Sequence, residues 1–294
     1  MSIIAIFGTT GSQGSAILNA VLADGKYTPC RLVTIYTPRA VSRTVDSDKS
    51  KALIAKGIEV KANLFDAESA KAAIRGSEAV FGVCTYSSSA WARRGKNLVD
   101  AAKDVGVKFF IWSSLPNVTK ETSRKYTYVY HADNKALIEG YLRTSGMPHA
   151  VLLTGVFAEN LRNFGSLQKT GTEYTIPVPK YGPEDAQSAT WVAHDFDAAA
   201  VALLSNYKDA TKGVLRNAFP VVSMKFTYPQ LAAAIAAEVT FMQMDTAGLA
   251  ELDEMAKIGM YPTTGVPNPA LVALGVKFGS MEEFIKKEVV PGFL

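Results

Sequence analysis

The chain has 294 residues, of which 48% are hydrophobic, so it can build one large domain or a nucleotide-binding domain with a smaller second lobe. Its net charge of +4 comes from scattered Lys and Arg without a basic run, so direct contact with nucleic acid is not indicated. No apolar run approaches the length of a membrane span, and the first strand leaves no room for a signal peptide, so we expect a cytoplasmic protein without a membrane segment.

The stretch from residue 3 to residue 18 reads as a buried strand, a glycine turn and the start of a helix. Gly8 allows a sharp turn off the strand, Gly11 allows backbone to approach a phosphate, and Gly14 allows the helix to pack close to the sheet. Free N–H groups at the helix start would face an anion. This context predicts dinucleotide binding, and the alternative is a purely structural turn.

The second strand is predicted at Arg31–Thr37, and its end decides which nicotinamide cofactor fits. A site for NAD usually has Asp or Glu there, because a carboxylate holds the ribose 2′-hydroxyl. Here no acid occurs before Asp46, whereas Arg39, Ser42 and Arg43 are available for a 2′-phosphate. The alternative is that the two arginines are solvated surface charges.

The next units repeat the strand and helix alternation and predict a doubly wound α/β fold with a parallel sheet. The predicted strands are Ile58–Ala62, Ala79–Cys84, Lys108–Ser113 and Ala150–Leu153, and Asp66 is predicted to cap the helix Ala67–Arg75. Thr85 and Tyr86 follow the fourth strand, at the edge where open parallel sheets bind ligands. We expect a nucleotide-binding domain over residues 1–153.

Residues 154–294 are predicted to form mainly a second, smaller α+β lobe, with about 191–218 packing back on the first domain. Thr227–Gln230 and Ser280–Glu283 have the spacing of capping boxes before two helices. Cys30 and Cys84 are too few for a disulfide framework or a cysteine-rich metal site, and no metal-ligand spacing appears. The sequence leaves open whether this lobe covers a ligand or presents a surface to a partner.

Several motifs occur together in a fixed order along nearly the whole chain. They are Gly8-x-x-Gly11-Ser12-Gln13-Gly14, the Asn63–Asp66 loop, Thr85-Tyr86, Ser113-Ser114-Leu115, Lys135, Phe157-x-Glu159-Asn160 and the closing helix Gly279–Phe284. With this combination the chain resembles the NmrA-like family, an atypical branch of the short-chain dehydrogenase superfamily. The resemblance implies a Rossmann domain that binds NADP(H), more than NAD(H), and a smaller C-terminal lobe.

The resemblance also implies roles for individual residues. Thr10 to Gln13, between Gly8 and Gly14, would hold the pyrophosphate, and Arg39 with Arg43 would hold the 2′-phosphate. Asn63, Leu64 and Phe65 would lie on the adenine side, and the residues around the ribose and nicotinamide would be Thr85, Tyr86, Lys135, Phe157 and Asn160. The family pattern has a basic residue directly after the second strand, whereas here Ile35 and Tyr36 come first.

The catalytic motif of typical short-chain dehydrogenases, Tyr-x-x-x-Lys, is altered in this chain. Lys135 is present, but His131 stands where the tyrosine would transfer a proton to the carbonyl oxygen. A histidine can act as a general acid near neutral pH, although a solvent-facing histidine at a helix start without a catalytic role is the competing interpretation. Lys135 and His131 are therefore the candidate catalytic residues.

Two functions remain open at this stage. The first is an NADPH-dependent reductase of a small organic carbonyl or enone, in which Lys135 positions the nicotinamide and stabilises or protonates an oxyanion. The second is a non-catalytic NADP(H) sensor whose C-terminal lobe changes with cofactor occupancy and signals to a regulatory protein. The missing tyrosine favours the sensor, whereas the second lobe and the absence of a DNA-binding element keep the reductase open.

Overall fold

The structure is a computed structural model. It describes residues 2–23, 36–62, 66–84, 91–163, 167–170, 173–179, 182–235, 238–242, 260–261 and 263–293. Among these residues no helix combines the length and the apolar character needed to cross a membrane.

A parallel sheet forms the centre of the fold, and two smaller sheets follow it. The strands are β1 (Ser2–Phe7), β2 (Tyr36–Ser42), β3 (Glu59–Ala62), β4 (Ala79–Gly82), β5 (Phe109–Ser114), β6 (His149–Thr154), β7 (Val156–Phe157), β8 (Gln168–Thr170), β9 (Glu173–Pro179), β10 (Gln187–Thr190), β11 (Ala218–Val221), β12 (Met224–Phe226) and β13 (Glu238–Met242). Within the described residues the central sheet has seven strands in the order β11-β6-β5-β4-β1-β2-β3, all parallel to their neighbours. The strand order reverses between β1 and β4, so their carboxyl ends flank the crevice where such sheets bind ligands.

Helices cover both faces of the central sheet, as a doubly wound fold requires. The helices are α1 (Ser12–Leu22), α2 (Asp48–Ala55), α3 (Ala67–Ile74), α4 (Trp91–Asp104), α5 (Val118–Glu121), α6 (Tyr130–Thr144), α7 (Asn160–Asn163), α8 (Asp197–Asn206), α9 (Tyr228–Ala234), α10 (Pro269–Ala273), α11 (Met281–Phe284) and α12 (Val290–Phe293). One buried cluster contains side chains of α1 and α8, and a second contains side chains of α3, α4 and α6. The predicted doubly wound α/β fold is confirmed.

The second strand lies further along the chain than the sequence predicts. It spans Tyr36–Ser42, so the expected strand Arg31–Thr37 overlaps it only at Tyr36 and Thr37, and residues 31–35 lie outside the described part. Ala5 of β1 pairs with Arg39, and Phe7 pairs with Val41. Arg39 is therefore inside the strand, and Arg43 is the residue that directly follows it.

Side-chain caps predicted from the sequence begin several of the helices. Asp66 accepts a hydrogen bond from the Ser69 N–H at 2.8 Å and caps α3. The capping box of α9 is complete, because the Thr227 hydroxyl accepts from the Gln230 N–H and the Gln230 side chain accepts from the Thr227 N–H. Ser280 likewise caps α11 by accepting from the Glu283 N–H at 3.1 Å.

The second half of the chain contributes both to the central sheet and to a separate cluster. β11 pairs with β6, and α8 shares the α1 side of the core, so the part of the chain from residue 197 to residue 221 lies on the central sheet. β7 and β12 flank β10 in one three-stranded sheet, and a separate buried cluster joins this sheet to α9 and α11. The division into residues 1–153 and 154–294 stays a prediction.

Candidate functional site

The glycine turn lies at the carboxyl end of β1, beside the point where the strand order reverses. Gly8 has φ +70°, and its carbonyl accepts the Gly11 N–H at 2.9 Å, which closes the turn. A Cβ on Gly14 would lie 2.3 Å from the Gly8 carbonyl oxygen. Only glycine fits at position 14, because the backbone of Phe7 and Gly8 already occupies the space that a Cβ would need.

The start of α1 is open to an anion. Gly11 is the residue before the helix, no side chain caps the first turn, and no acidic residue lies in that turn. The first N–H groups of a helix have no acceptor within the helix, and the helix dipole favours negative charge beside them. Gly11 and Ser12 are exposed, and Lys49 of α2 donates to the Thr10 carbonyl at 3.3 Å. This combination fits a pyrophosphate.

Gln13 connects the glycine turn to the end of β5. Its side-chain oxygen accepts a hydrogen bond from the Ser113 hydroxyl at 3.0 Å, and both side chains are buried. The Gln13 Nε2 group is buried without a hydrogen-bond partner. An unsatisfied buried N–H donor is costly, so this amide is a group that a bound ligand or water would satisfy.

Arg39 is corrected from a phosphate ligand to a structural residue. Its guanidinium bonds Glu59 at 2.6 Å, and it donates to the carbonyls of Ala73 at 3.2 Å and Arg75 at 2.8 Å. The carbonyls belong to the end of α3, and Glu59 begins β3, so these contacts hold Arg39 away from the ligand edge. Arg39 is 8% exposed, because its position inside β2 buries it.

Arg43 is the arginine that remains available at the ligand edge. It is exposed and directly follows β2, so the family pattern of a basic residue at this point is met after all. The Ser42 hydroxyl beside it donates to the Thr44 carbonyl at 3.2 Å, which shapes the turn after the strand. A planar guanidinium at this edge suits bidentate recognition of a phosphate.

Lys135 is buried near the amino-terminal end of α6, and its backbone is fixed to the sheet. The Trp112 indole N–H of β5 donates to the Lys135 carbonyl at 3.1 Å. Burial lowers the pKa of Lys135 to about 8, and the Cys84 thiol acts in the opposite direction. Burial also raises the pKa of the Cys84 thiol to about 11, so this cysteine is neutral and unreactive near pH 7.

His131 lies one helical turn before Lys135 on the same side of α6. Burial lowers the pKa of His131, the charge of Lys135 lowers it further, and Asp133 opposes both effects. A histidine with a lowered pKa is mostly neutral at pH 7, so it is a poor general acid there. The structure brings His131 and Lys135 together, and Lys135 is the group that still carries a proton to donate.

The remaining predicted residues divide into two groups. Asn63, Leu64, Phe65, Thr85 and Tyr86 lie outside the described residues. Phe157 is half-buried against the core, and Asn160 begins α7. Between them, Glu159 accepts the Ala193 N–H at 2.9 Å, which gives the carboxylate of this motif a structural use. The roles of Phe157 and Asn160 at a nicotinamide stay predictions.

The fold brings two residues to the glycine turn that the sequence did not assign to the cofactor site, although Ser113 belongs to one of the motifs quoted for the family resemblance. They are Lys49, at the Thr10 carbonyl, and Ser113, whose hydroxyl bonds Gln13. Ser113 was available from the sequence as a polar residue at a strand end. Lys49 was not, because its position depends on how α2 packs beside the loop. In the described residues no group of three or more His, Cys, Asp or Glu side chains could hold a metal ion.

A glycine turn at the strand-order reversal of a doubly wound parallel sheet defines the Rossmann class of α/β fold. The chain belongs to the NmrA-like family, whose model matches residues 1–261. The family resemblance seen in the motifs is thereby confirmed.

Curated relatives and solved structures agree with this assignment. The chain is 27% identical over 214 residues to the NmrA-like family domain-containing oxidoreductase malD of Malbranchea aurantiaca, covering 66% of this chain and 61% of that protein. It is 27% identical over 203 residues to quinone oxidoreductase 2 of Escherichia coli, covering 69% of this chain and 64% of that protein. The chain therefore spans under two thirds of the length of both.

Solved structures of the same fold include a regulator and an enzyme. NmrA, a negative transcriptional regulator solved in complex with NAD, has a TM-score of 0.75 at 17% identity, covering 98% of this chain and 95% of that one. The NADPH-dependent quinone oxidoreductase of Escherichia coli, solved with NADPH, has a TM-score of 0.73 at 22% identity, covering 96% and 98% of the two chains.

Proposed function

We propose that the protein is an NADP(H)-dependent oxidoreductase that reduces a small organic carbonyl or enone. The observation that carries this proposal is the buried Lys135, which interacts with Cys84 just after β4, one of the two strands that flank the strand-order reversal, and whose pKa is lowered to about 8. Enzyme relatives of the family support it, namely the oxidoreductase malD and a quinone oxidoreductase. Whether the protein is located in the cytoplasm stays a prediction.

The residues of this chain would hold the cofactor at three points. The open start of α1 and the Gln13 amide would bind the pyrophosphate, and Arg43 would bind the 2′-phosphate. Lys135 would hold the ribose near the nicotinamide. Bound NADPH would supply a hydride for the electrophilic carbon of the substrate.

Lys135 has two tasks in this proposal. As an ammonium group it stabilises the negative charge that develops on the substrate oxygen, and it can then donate a proton to that oxygen. Because the pKa of Lys135 is about 8, the group is mostly protonated at pH 7 and can lose its proton readily. The lysine therefore replaces the missing tyrosine, and His131 is not required as an acid.

The test is NADPH consumption over a panel of quinones, enones and aldehydes. We expect turnover with at least one class and a rate that falls as the pH rises through about 8, since Lys135 then loses its proton. Consumption no faster than the protein-free background for every compound contradicts the reductase. A rate that stays constant from about pH 6.5 to about pH 9.5, roughly one and a half units on either side of the pKa of Lys135, contradicts the role of this lysine.

A non-catalytic sensor is the second candidate, and one specific observation favours it. His131 replaces the usual proton donor, and its pKa is lowered, so the typical acid of the superfamily is missing. The relative NmrA, a negative transcriptional regulator, has the same fold. A sensor predicts that NADP⁺ and NADPH give different hydrogen–deuterium exchange in residues 263–293. Equal exchange in the two states, together with turnover, contradicts it.

A further inference from the structure

A short turn of π-helical geometry, Val192–Phe196, lies between β10 and α8 and is called the π-turn below. The Trp191 carbonyl in front of it accepts three backbone N–H groups. They belong to His194 at 3.4 Å, Asp195 at 2.8 Å and Phe196 at 3.3 Å. These are the 3₁₀, α and π bonds of one carbonyl, so the π-turn lies between three helical registers. Such turns are rare and occur frequently at functional sites.

One side of the π-turn packs against the elements that form the cofactor crevice. Val192 and Phe196 are buried in the same cluster as Ile17 of α1, and α1 contacts the π-turn. The Phe196 ring also packs edge-on against Phe81 of β4, with the ring centroids 5.9 Å apart. α1 begins at the expected pyrophosphate site, and β4 flanks the strand-order reversal. A movement of either element therefore reaches the π-turn.

The other side of the π-turn holds the C-terminal segment 276–289. The Gly279 N–H donates to Asp195 Oδ1 at 3.0 Å, and Asp195 is fully buried. Trp191 packs edge-on against Phe284, with the ring centroids 5.4 Å apart. A Cβ on Gly279 would lie 2.5 Å from the Trp191 ring, so the two parts of the chain are in close contact. The π-turn therefore lies between the crevice and this segment.

The Asp195 carboxylate makes the docking of the segment depend on the register of the π-turn. Oδ1 bonds Gly279 and lies 2.7 Å from His194 Nδ1, whereas Oδ2 is buried with no hydrogen-bond partner in the described residues. A buried carboxylate is costly unless hydrogen bonds satisfy it, so this one depends on the few bonds that it has. Asp195 and Phe196 are adjacent, so a change of register moves the contact with the C-terminal segment and the contact with β4 together.

We propose that the π-turn couples the cofactor crevice to the C-terminal segment. A dinucleotide at the start of α1 favours the docked segment, and the docked segment favours the dinucleotide. A ligand shifts such an equilibrium only through a contact that differs between the two states, and here that contact is the packing of α1 against Val192 and Phe196. The coupling rests on NADP(H) binding in the proposed function, but it does not depend on turnover.

Hydrogen–deuterium exchange of the full chain, followed by NMR, tests the first direction of the coupling. The reporters are the Gly279 amide, which donates to Asp195, and the amides of residues 281–289. We expect saturating NADPH to slow their exchange by about fivefold or more. Unchanged rates with NADPH bound would overturn the coupling and leave NADP(H) binding intact. If NADPH does not bind, the proposed function and the coupling both fail.

Gly279→Ala tests the reverse direction, because its Cβ would meet the buried Trp191 ring and push the segment away. Coupling between two sites is reciprocal, so exchange of residues 281–289 should become faster and NADPH binding weaker by the same factor, about fivefold or more. Gly265→Ala is the matched control and should change neither, since its Cβ would lie no closer than 3.5 Å to a neighbouring atom.

Asp195→Asn is a milder variant of the same contact. It keeps the shape of the side chain and removes the charge from the bond to Gly279. It should change exchange and NADPH affinity in the same direction as Gly279→Ala, and circular dichroism shows whether each variant is folded. Faster exchange with unchanged NADPH affinity in the folded variants would overturn the coupling, and so would unchanged exchange in both.

Discussion

The buried polar groups at the two ends of the central strands differ in whether the protein itself supplies their hydrogen-bond partners. At the amino edge, the Glu78 carboxylate accepts hydrogen bonds from Ser2, Tyr36 at 3.0 Å and Tyr207 at 2.6 Å, and it pairs with Lys208 at 2.8 Å. At the carboxyl edge, the Gln13 amide has no partner, and Lys135 is buried at the cost of a lowered pKa.

The difference separates stability from binding. Groups that are satisfied within the protein stabilise the fold and leave nothing for a ligand. Groups that are buried and unsatisfied cost stability, and such a cost is typical of sites that are completed by a ligand. Mutations at the two edges should therefore change different measurable quantities.

The largest effect is expected for Lys135→Met at the carboxyl edge. Turnover should fall by about 100-fold or more, because the proton donor and the charge that stabilises the oxyanion are both lost. The free energy of unfolding should not fall, because methionine removes the cost of burying an amine. Kinetics of NADPH oxidation and urea unfolding measure the two effects, with Lys103→Met on α4 as the control. Full turnover in Lys135→Met would show that the buried lysine at the carboxyl edge does not serve the reaction, which would contradict the difference between the two edges.

The next effect concerns Glu78 at the amino edge. Burial acts to raise the pKa of Glu78, but the hydrogen bonds from Lys208, Ser2, Tyr207 and Tyr36 hold it at about 2. Because the pKa of the folded protein is below its usual value near 4.5, this stabilisation is present above pH 4.5 and is lost as the pH falls towards 2. Near pH 7, Glu78→Gln should lower the free energy of unfolding by about 2–3 kcal/mol.

Unfolding of the unchanged protein and of Glu78→Gln from pH 7 to pH 3 measures this effect. The difference in unfolding free energy between the two proteins should become smaller as the pH falls below about 4.5. A gap that does not depend on pH would mean that the carboxylate charge is not what stabilises this edge.

A comparable loss of stability is expected for Arg39→Leu. The substitution removes the bonds to Glu59, Ala73 and Arg75 and should cost about 2–3 kcal/mol of unfolding free energy. The preference for NADPH over NADH should not change, because the guanidinium faces away from the ligand edge. Urea unfolding and dinucleotide titrations measure both, and a reduced preference for NADPH in a folded variant would restore Arg39 as a phosphate ligand.

The smallest effect is expected for Arg43→Ala. The preference for NADPH over NADH should fall by about tenfold, because one guanidinium is lost from the 2′-phosphate. Stability should be unchanged, since Arg43 is exposed. Fluorescence titrations with both dinucleotides measure this, and Arg75→Ala is the control for a change in net charge. Equal binding of NADPH and NADH by the unchanged protein would contradict the whole 2′-phosphate interpretation.

Local patterns were enough to predict the fold, because hydrophobic periodicity and caps are read from neighbouring residues. Asp66, Thr227 and Ser280 cap the helices that the sequence assigned to them. The end of the second strand was predicted at Thr37, whereas β2 continues to Ser42. Periodicity does not fix where a strand ends, since only pairing with β1 sets the register.

The candidate site was predicted where it depends on a short motif and missed where it depends on packing. The glycine spacing gave the turn at Gly8 and the close approach of Gly14. The contact of Arg39 with the end of α3 could not be predicted, because it joins residues more than thirty positions apart.

The hydrogen bond from Trp112 to the Lys135 carbonyl gives the protein a built-in spectroscopic probe. The Trp112 side chain is fully buried, so its indole N–H should exchange slowly with solvent and give a distinct NMR resonance. Any ligand that displaces α6 from β5 alters this bond at the residue that would do the chemistry. One indole signal can therefore report occupancy of the cofactor crevice without a label, a substrate or an active enzyme.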